Sequence, residues 1–194
     1  MSKQIFIVFG HNNYKPGSSF NAAVRDVFMG EAKKIGHKID LVNIYEEKQL
    51  KFWDGGKPDQ QVLDYRKRLE ESDVMLVMSP CHNYIMNSAT ENFIANVFTP
   101  PWSFSYKKII GNWGYPVPNV LKGKTAIISM TYGGPSFFVS AIIQQIPRRI
   151  KKMVFSGLCG MKVEYLRFYE VLPNMSKEIF EKHMEKVRKT VQQL

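Results

Sequence analysis

Apolar residues fall along the chain in two alternating patterns: short continuous runs, and longer stretches in which they recur every three or four positions. Gln4–Phe9 is of the first kind, rich in β-branched and aromatic residues and interrupted at Gly10, and reads as a strand buried on both faces. Phe20, Val24, Val27, Phe28 and Ala32 are of the second, a helix capped by Ser18 or Ser19, running to about Ile35 and stopped by Gly36. The alternation continues with a strand over 37–45 and a helix over 59–71, where Asp64, Arg66, Lys67, Arg68 and Glu70 mark a solvated face. A third strand over 73–79 is closed by Pro80, and a helix over 88–98 is ended by Thr99-Pro100-Pro101. Residues 101–122 mix prolines, glycines and aromatics and read as a long irregular loop, a kind that is usually functional. A fourth strand covers 125–131, a helical region 136–155 breaks at Pro147, and a fifth strand covers 161–169. Residues 176–194 form an amphipathic helix capped by Ser176, with Ile179, His183 or Met184, and Val187 on one side.

Strands alternating with helices at this spacing predict an α/β fold: a three-layer sandwich around a five-stranded parallel sheet in the order 2-1-3-4-5, with residues 1–194 as one domain. Composition agrees, since 44% hydrophobic and 23% charged residues are ordinary globular values. Apolar runs are too short to span a bilayer and no signal pattern precedes the first strand, so the expectation is a cytoplasmic protein without membrane insertion. Cys81 and Cys159 lack metal-knuckle or dithiol spacing, so no metal is expected. The net charge of +10 fits nucleic acid, an anionic surface or phosphorylated ligands. Its basic residues are spread over helix faces, including Arg148–Lys152 and Lys186–Lys189, rather than gathered in a binding motif, so no nucleic-acid partner is expected.

In an open parallel sheet, ligands bind beyond the carboxyl ends of the strands, at the point where strand order reverses. That rule selects three loops. The first, Gly10–Asn21, matches neither G-x-G-x-x-G nor G-x-x-x-x-G-K-S/T, yet offers serine hydroxyls, His11, Lys15, Asn21 and a helix N-terminus, a set suited to a phosphate dianion or, equally, to plain helix capping. The second, Ser79–Asn87, turns at Pro80 and presents backbone groups able to bond the polar edge of a flat ring. The third, Ser129–Pro135, carries Gly133-Gly134, where backbone can approach a ligand closely.

These residues resemble a family. His11 with Ser19-Phe20-Asn21, Ser72-Asp73-Val74 leading into Ser79-Pro80, Asn92-Phe93-Ile94 with Val97-Phe98, and Leu121-Lys122-Gly123-Lys124 leading into Thr131-Tyr132-Gly133-Gly134 are similar, in that order, to the motifs of flavodoxin-like NAD(P)H:quinone oxidoreductases. The resemblance covers nearly the whole chain and implies a flavodoxin-like fold and a flavin, FMN or FAD, with NAD(P)H as electron donor. It implies that His11, Ser18, Ser19, Phe20 and Asn21 hold the flavin's phosphate and ribityl side. Pro80, Cys81, His82, Asn83 and Tyr84, with Thr131, Tyr132, Gly133 and Gly134, would cradle the ring. Tyr132 and the amides of Gly133 and Gly134 are the candidate catalytic donors to charge building on that ring. Trp102, Phe104 and Tyr106 would line the pocket where nicotinamide and acceptor alternate, at the interface of a homodimer. The implied activity is ping-pong hydride transfer from NAD(P)H through the flavin to a quinone or similar small acceptor; the alternative is a flavin-binding electron carrier or transporter-ancillary protein with little turnover. The chain departs from the animal enzymes in a phosphate loop longer by about three residues within 12–17, and in Asn83 where a ring-supporting Trp stands.

Overall fold

The computed structural model describes residues 2–83, 85–111, 113–139 and 150–194. Five parallel strands form the sheet: β1 (Gln4–Phe9), β2 (Lys38–Asn43), β3 (Val74–His82), β7 (Thr125–Thr131) and β8 (Lys162–Phe168), ordered β2-β1-β3-β7-β8. This is the expected 2-1-3-4-5 arrangement. Because strand side chains alternate between faces, one set of residues splits into two cores. Ile5, Ile7, Phe9, Leu76, Met78 and Ile127 face helix α1 (Phe20–Lys34) and the C-terminal helix (Lys177–Gln192). Phe6, Val8, Met75, Val77 and Ile128 face α2 (Gln60–Glu71) and α3 (Ser88–Val97). Side chains fully withdrawn from water on both faces contribute about 1.5 to 3 kcal/mol each, and the sheet is the shared floor of both layers.

The helices begin where capping chemistry allows. Ser19, Asp59, Asn87 and Ser176 each accept a hydrogen bond from the backbone N–H three residues on. No helix of the described residues is long and apolar enough to cross a membrane.

Two expectations about elements are corrected. Pro80 does not close β3, which runs on to His82 with Pro80 opposite Thr131 of β7. A proline fits there because β1 has already left the sheet at Phe9, opposite Met78, so no ladder bond is lost on that side. The chain then folds back as β4 (Ile85–Met86), antiparallel to Cys81–His82, with Asn83 in the left-handed region at φ 49°. The second correction concerns 101–122, which contains an antiparallel hairpin of β5 (Phe104–Ile110) and β6 (Trp113–Pro118). Pro116 and Pro118 alternate along β6, which puts both missing N–H groups on the ribbon's free edge. The helical region expected over 136–155 is described only as one turn at Ser136–Phe138 and a π-helix over Ile150–Leu158; Pro147, Arg148 and Arg149 lie outside the described residues.

Candidate functional site

Parallel strands point their carboxyl ends one way, so the loops after β1, β3 and β7 leave the same edge of the sheet. Hydrogen bonds then tie the three together. Gly10 N–H donates to Met78 O at 2.9 Å, and the Asn87 side-chain amide donates to Gly10 O. Asn87 Oδ1 accepts from both Thr90 N (3.0 Å) and Thr90 Oγ1 (2.8 Å), while Asn87 N–H reaches Ser79 Oγ at 3.1 Å. Asn87, Thr90 and Ser79 are all buried. Gly10 is required by this packing, since a Cβ there would lie 1.9 Å from Thr90 Oγ1.

Asn21 makes the other link. It is buried in the first turn of α1 and donates to Thr131 Oγ1 at the end of β7, 3.2 Å away. Its Oδ1 has no hydrogen-bond partner among the described residues. A buried amide oxygen left unpaired costs about 1 to 3 kcal/mol; this one belongs to a side chain that joins the start of α1, just after the first loop, to the end of β7, just before the third, and a ligand hydroxyl there would satisfy it.

The first loop is ordered by its own bonds. Lys15-Pro16-Gly17-Ser18 is a type II turn, with Pro16 at its second position, Gly17 at φ 72° and Ser18 N–H on Lys15 O at 3.0 Å. Residues 15–18 of the loop are therefore a closed turn. Ser19 Oγ donates to Asn13 O (2.8 Å) while accepting from Ala22 N (3.1 Å), and Ser18 Oγ donates to Lys15 O (2.6 Å). His11 Nδ1 accepts from Asn13 N–H at 3.0 Å, and burial holds its imidazole below the ordinary range. A neutral ring accepting at Nδ1 carries its proton on Nε2, which makes Nε2–H a donor. Phe20 turns from the loop into an edge-on contact with Phe168 at 5.2 Å and with His183 at 5.5 Å.

On the second loop, Cys81 is half-buried while His82 and Asn83 are exposed on the small hairpin; Tyr84 lies outside the described residues. On the third loop, Tyr132 differs from expectation. Its N–H donates to Phe168 O (2.8 Å), its hydroxyl to Met130 Sδ (3.5 Å), and its ring stacks on Tyr169 at 5.4 Å. Burial raises its pKa far beyond the ordinary phenol range. Both of its donors are thus spent within the protein, leaving the amides of Gly133 and Gly134. Gly133 is exposed, and a Cβ built on it meets only Leu172 Cδ2 at 3.7 Å, so its outer side is open.

The three pocket aromatics also differ from expectation. Trp102 Nε1 donates to Glu70 at the end of α2, and Arg66 lies over its ring at 5.1 Å. Phe104 is buried at the base of the hairpin opposite Pro118, and Asn119 N–H donates to Ser103 O at 3.1 Å. These positions are beside the amino ends of β3 and β7, across the sheet from the three loops. Tyr106, at 64% exposure, stands out on the hairpin. Within one chain, then, the loops converge and the aromatics do not join them. The reason is topological: α3 carries the chain from the carboxyl edge back to the amino edge, so the segment after it starts there.

Asn87, Thr90 and Arg25 escaped the sequence reading. Asn87 precedes Ser-Ala-Thr-Glu as a helix cap should, and Asn21 and Arg25 stand in line with Phe28 and Ala32 on the buried stripe of α1.

Residues 3–191 match the family described as flavodoxin-like fold. Solved structures share the architecture over nearly the full chain. Smu.1420 from Streptococcus mutans is 23% identical with a TM-score of 0.82, covering 98% of this chain and 100% of its own. NAD(P)H:quinone oxidoreductase from Methanothermobacter marburgensis is 13% identical with a TM-score of 0.79, covering 99% and 96%. The FMN-dependent NADH-azoreductase of Bacillus anthracis, solved in complex with FMN, is 15% identical with a TM-score of 0.77, covering 100% and 99%. At these identities the likeness establishes the fold. No curated protein matches the chain.

Proposed function

As a member of the flavodoxin-like fold family, the chain is built to present three loops at one sheet edge, and we propose that it is a flavin-dependent NAD(P)H oxidoreductase that holds FMN there. The observation that carries this reading is the buried, unpartnered oxygen of Asn21, whose side chain joins the start of α1 to the end of β7. The donor set fits the group: His11 Nε2–H and the free N–H groups of α1 suit a phosphate, Ser18 and Ser19 brace the loop around it through their bonds to Lys15 O and Asn13 O, and Asn21 suits a ribityl hydroxyl. Pro80, Cys81, His82 and Asn83 on one side, with Thr131, Gly133 and Gly134 on the other, would flank the ring. The FMN complex of the azoreductase neighbour supports FMN over FAD.

A bound flavin would accept hydride from NAD(P)H and pass it on to a quinone or azo acceptor in a ping-pong sequence. The chain's part is to hold and orient. The Gly133 and Gly134 amides supply fixed donors toward the ring's polar edge, and the Asn87 and Asn21 bonds keep the loops from relaxing when charge develops there. Tyr132 braces the loop from below, without serving as a proton donor.

The hairpin supports a homodimer as the working form. Tyr106, Ile110 and Trp113 are 64%, 75% and 66% exposed, an apolar surface that a second copy would cover. Such an interface would cover Tyr106, the most exposed of the three aromatics Trp102, Phe104 and Tyr106.

Titrating the purified chain with FMN while following flavin fluorescence and absorbance tests the first step, and NADH or NADPH oxidation with menadione or an azo dye tests the second. Quenching on binding followed by turnover is expected. An absence of flavin binding ends the proposal; binding with turnover below about 0.01 per second would favour an electron carrier.

A further inference from the structure

The side chain of Arg25 is buried on α1 beneath the first loop and is held from three directions. Its Nε and Nη2 both contact Asp26 Oδ1, at 2.8 and 2.6 Å, and its guanidinium carbon lies 4.7 Å above the Phe9 ring. Adjacent residues on a helix do not normally face each other, so this grip on Asp26 bends the side chain along the helix surface. The remaining nitrogen, Nη1, donates to Tyr14 O at 2.7 Å.

That bond fixes more than one carbonyl. In a trans peptide the C=O of one residue and the N–H of the next point in opposite directions. Ser19 Oγ draws Asn13 O toward α1 and Arg25 draws Tyr14 O the same way. The N–H groups of Tyr14 and Lys15 must therefore face outward, away from the helix. Neither meets a backbone acceptor among the described residues. Two successive outward amides form an anion-binding concavity, and the Asn13–Ser19 bond holds this one close to the N-terminus of α1, whose first turn carries buried Asn21 with its unpartnered oxygen.

We propose that Arg25 is the positioning residue of the phosphate site: by holding the Tyr14 carbonyl inward it aims the Tyr14 and Lys15 amides at a phosphate monoester, so that the loop selects ligands carrying that group. The proposal rests on the flavin reading of the same site. It gives the Lys15–Ser18 turn a purpose, because the turn closes the loop directly after the two amides.

Riboflavin has the ring and ribityl chain of FMN without the phosphate, so the pair separates this role from general support. In Arg25→Met, whose melting temperature confirms that it is folded, FMN affinity is expected to fall about tenfold, equivalent to about 1.4 kcal/mol, with riboflavin affinity unchanged. Arg25→Lys, which keeps the charge but not the planar fork, is expected to fall between and serves if Arg25→Met does not fold. Equal losses for both flavins, or no loss for FMN, overturn the proposal. Inorganic phosphate titrated into the flavin-free chain and followed by amide NMR gives an independent readout. The Tyr14 and Lys15 resonances should shift in the parent and stay fixed in the variant. Unmoved resonances in the parent overturn the proposal, whereas shifts in a chain that binds neither flavin leave it standing and reject the functional reading instead.

Discussion

The carboxyl edge of the sheet and the β5–β6 hairpin are made of similar material, loop-like sequence rich in glycine, proline and aromatics, yet one is knitted and the other presented. At the carboxyl edge, Asn87 and Asn21 bridge separate loops through buried hydrogen bonds, and Gly10 touches Thr90 so closely that no side chain fits. The hairpin is held by its own ladder and by its base at Ser103, Phe104 and Asn119, while Tyr106, Ile109, Ile110, Trp113 and Tyr115 face outward. Buried polar bridges specify one arrangement because leaving any member unpaired is costly. Exposed aromatics specify nothing until another surface arrives.

The contrast is open to attack from both ends. The largest effect should come from Gly10→Ala, where the added methyl overpacks against Thr90 and costs about 3 kcal/mol, lowering Tm by about 6 to 12 °C for a chain of this length. Adding Thr90→Ala should recover part of that loss, and strictly additive losses would show that the contact is not the cause. Next, Tyr106→Ser with Trp113→Ser should weaken dimerisation about 100-fold by sedimentation, the scale of two interface anchors, and reduce turnover while FMN affinity holds. A dimer of unchanged affinity would mean the hairpin is not its contact surface. Gly133→Ala should leave Tm nearly unchanged, because only Leu172 Cδ2 comes within 4 Å of the new carbon, while FMN affinity drops about tenfold, about 1.4 kcal/mol. A drop in Tm without a drop in affinity would place the ligand elsewhere.

The smallest effect concerns pH. Burial holds the His11 and His183 imidazoles below their ordinary value of 6.5. Their neutral forms therefore stabilise the fold fully above that value, and the contribution is lost as pH falls through the lowered native values, where the unfolded chain binds more protons. Tm should decline on acidification from pH 7. His183→Gln should flatten that decline, and an unaltered slope would exclude this residue as a source.

What could be read from the chain divides along the same line. Hydrophobic periodicity located all five parallel strands and the major helices, because the two-sided burial of a parallel sheet writes itself into runs such as Val74–Met78, and the crossover rule then ordered them. The three loops followed from topology. Pro80 misled because a proline's effect on a strand depends on whether a neighbour is still paired beside it, which only register reveals. The hairpin misled for a related reason, since Pro116 and Pro118 look like breakers until their N–H sides are known to face outward. The place of Trp102 follows from topology as well: a helix that leaves the carboxyl edge returns the chain to the amino edge, so within one chain Trp102 lies across the sheet from the three loops. Arg25 stays hidden because periodicity is counted on apolar residues alone, and a polar residue on a buried stripe is one that such counting discards.

The bond from Asn119 N–H to Ser103 O joins the two feet of the hairpin. The chain enters and leaves this excursion at a single point, so everything beyond Phe104 is, in engineering terms, a cassette. A short turn spliced from Ser103 to Asn119 would delete it without lengthening or straining the crossover from α3 to β7, and a foreign recognition ribbon could be inserted in its place. The surface that the ribbon presents would then be an exchangeable part, while the sheet and the three loops at its carboxyl edge stay as they are.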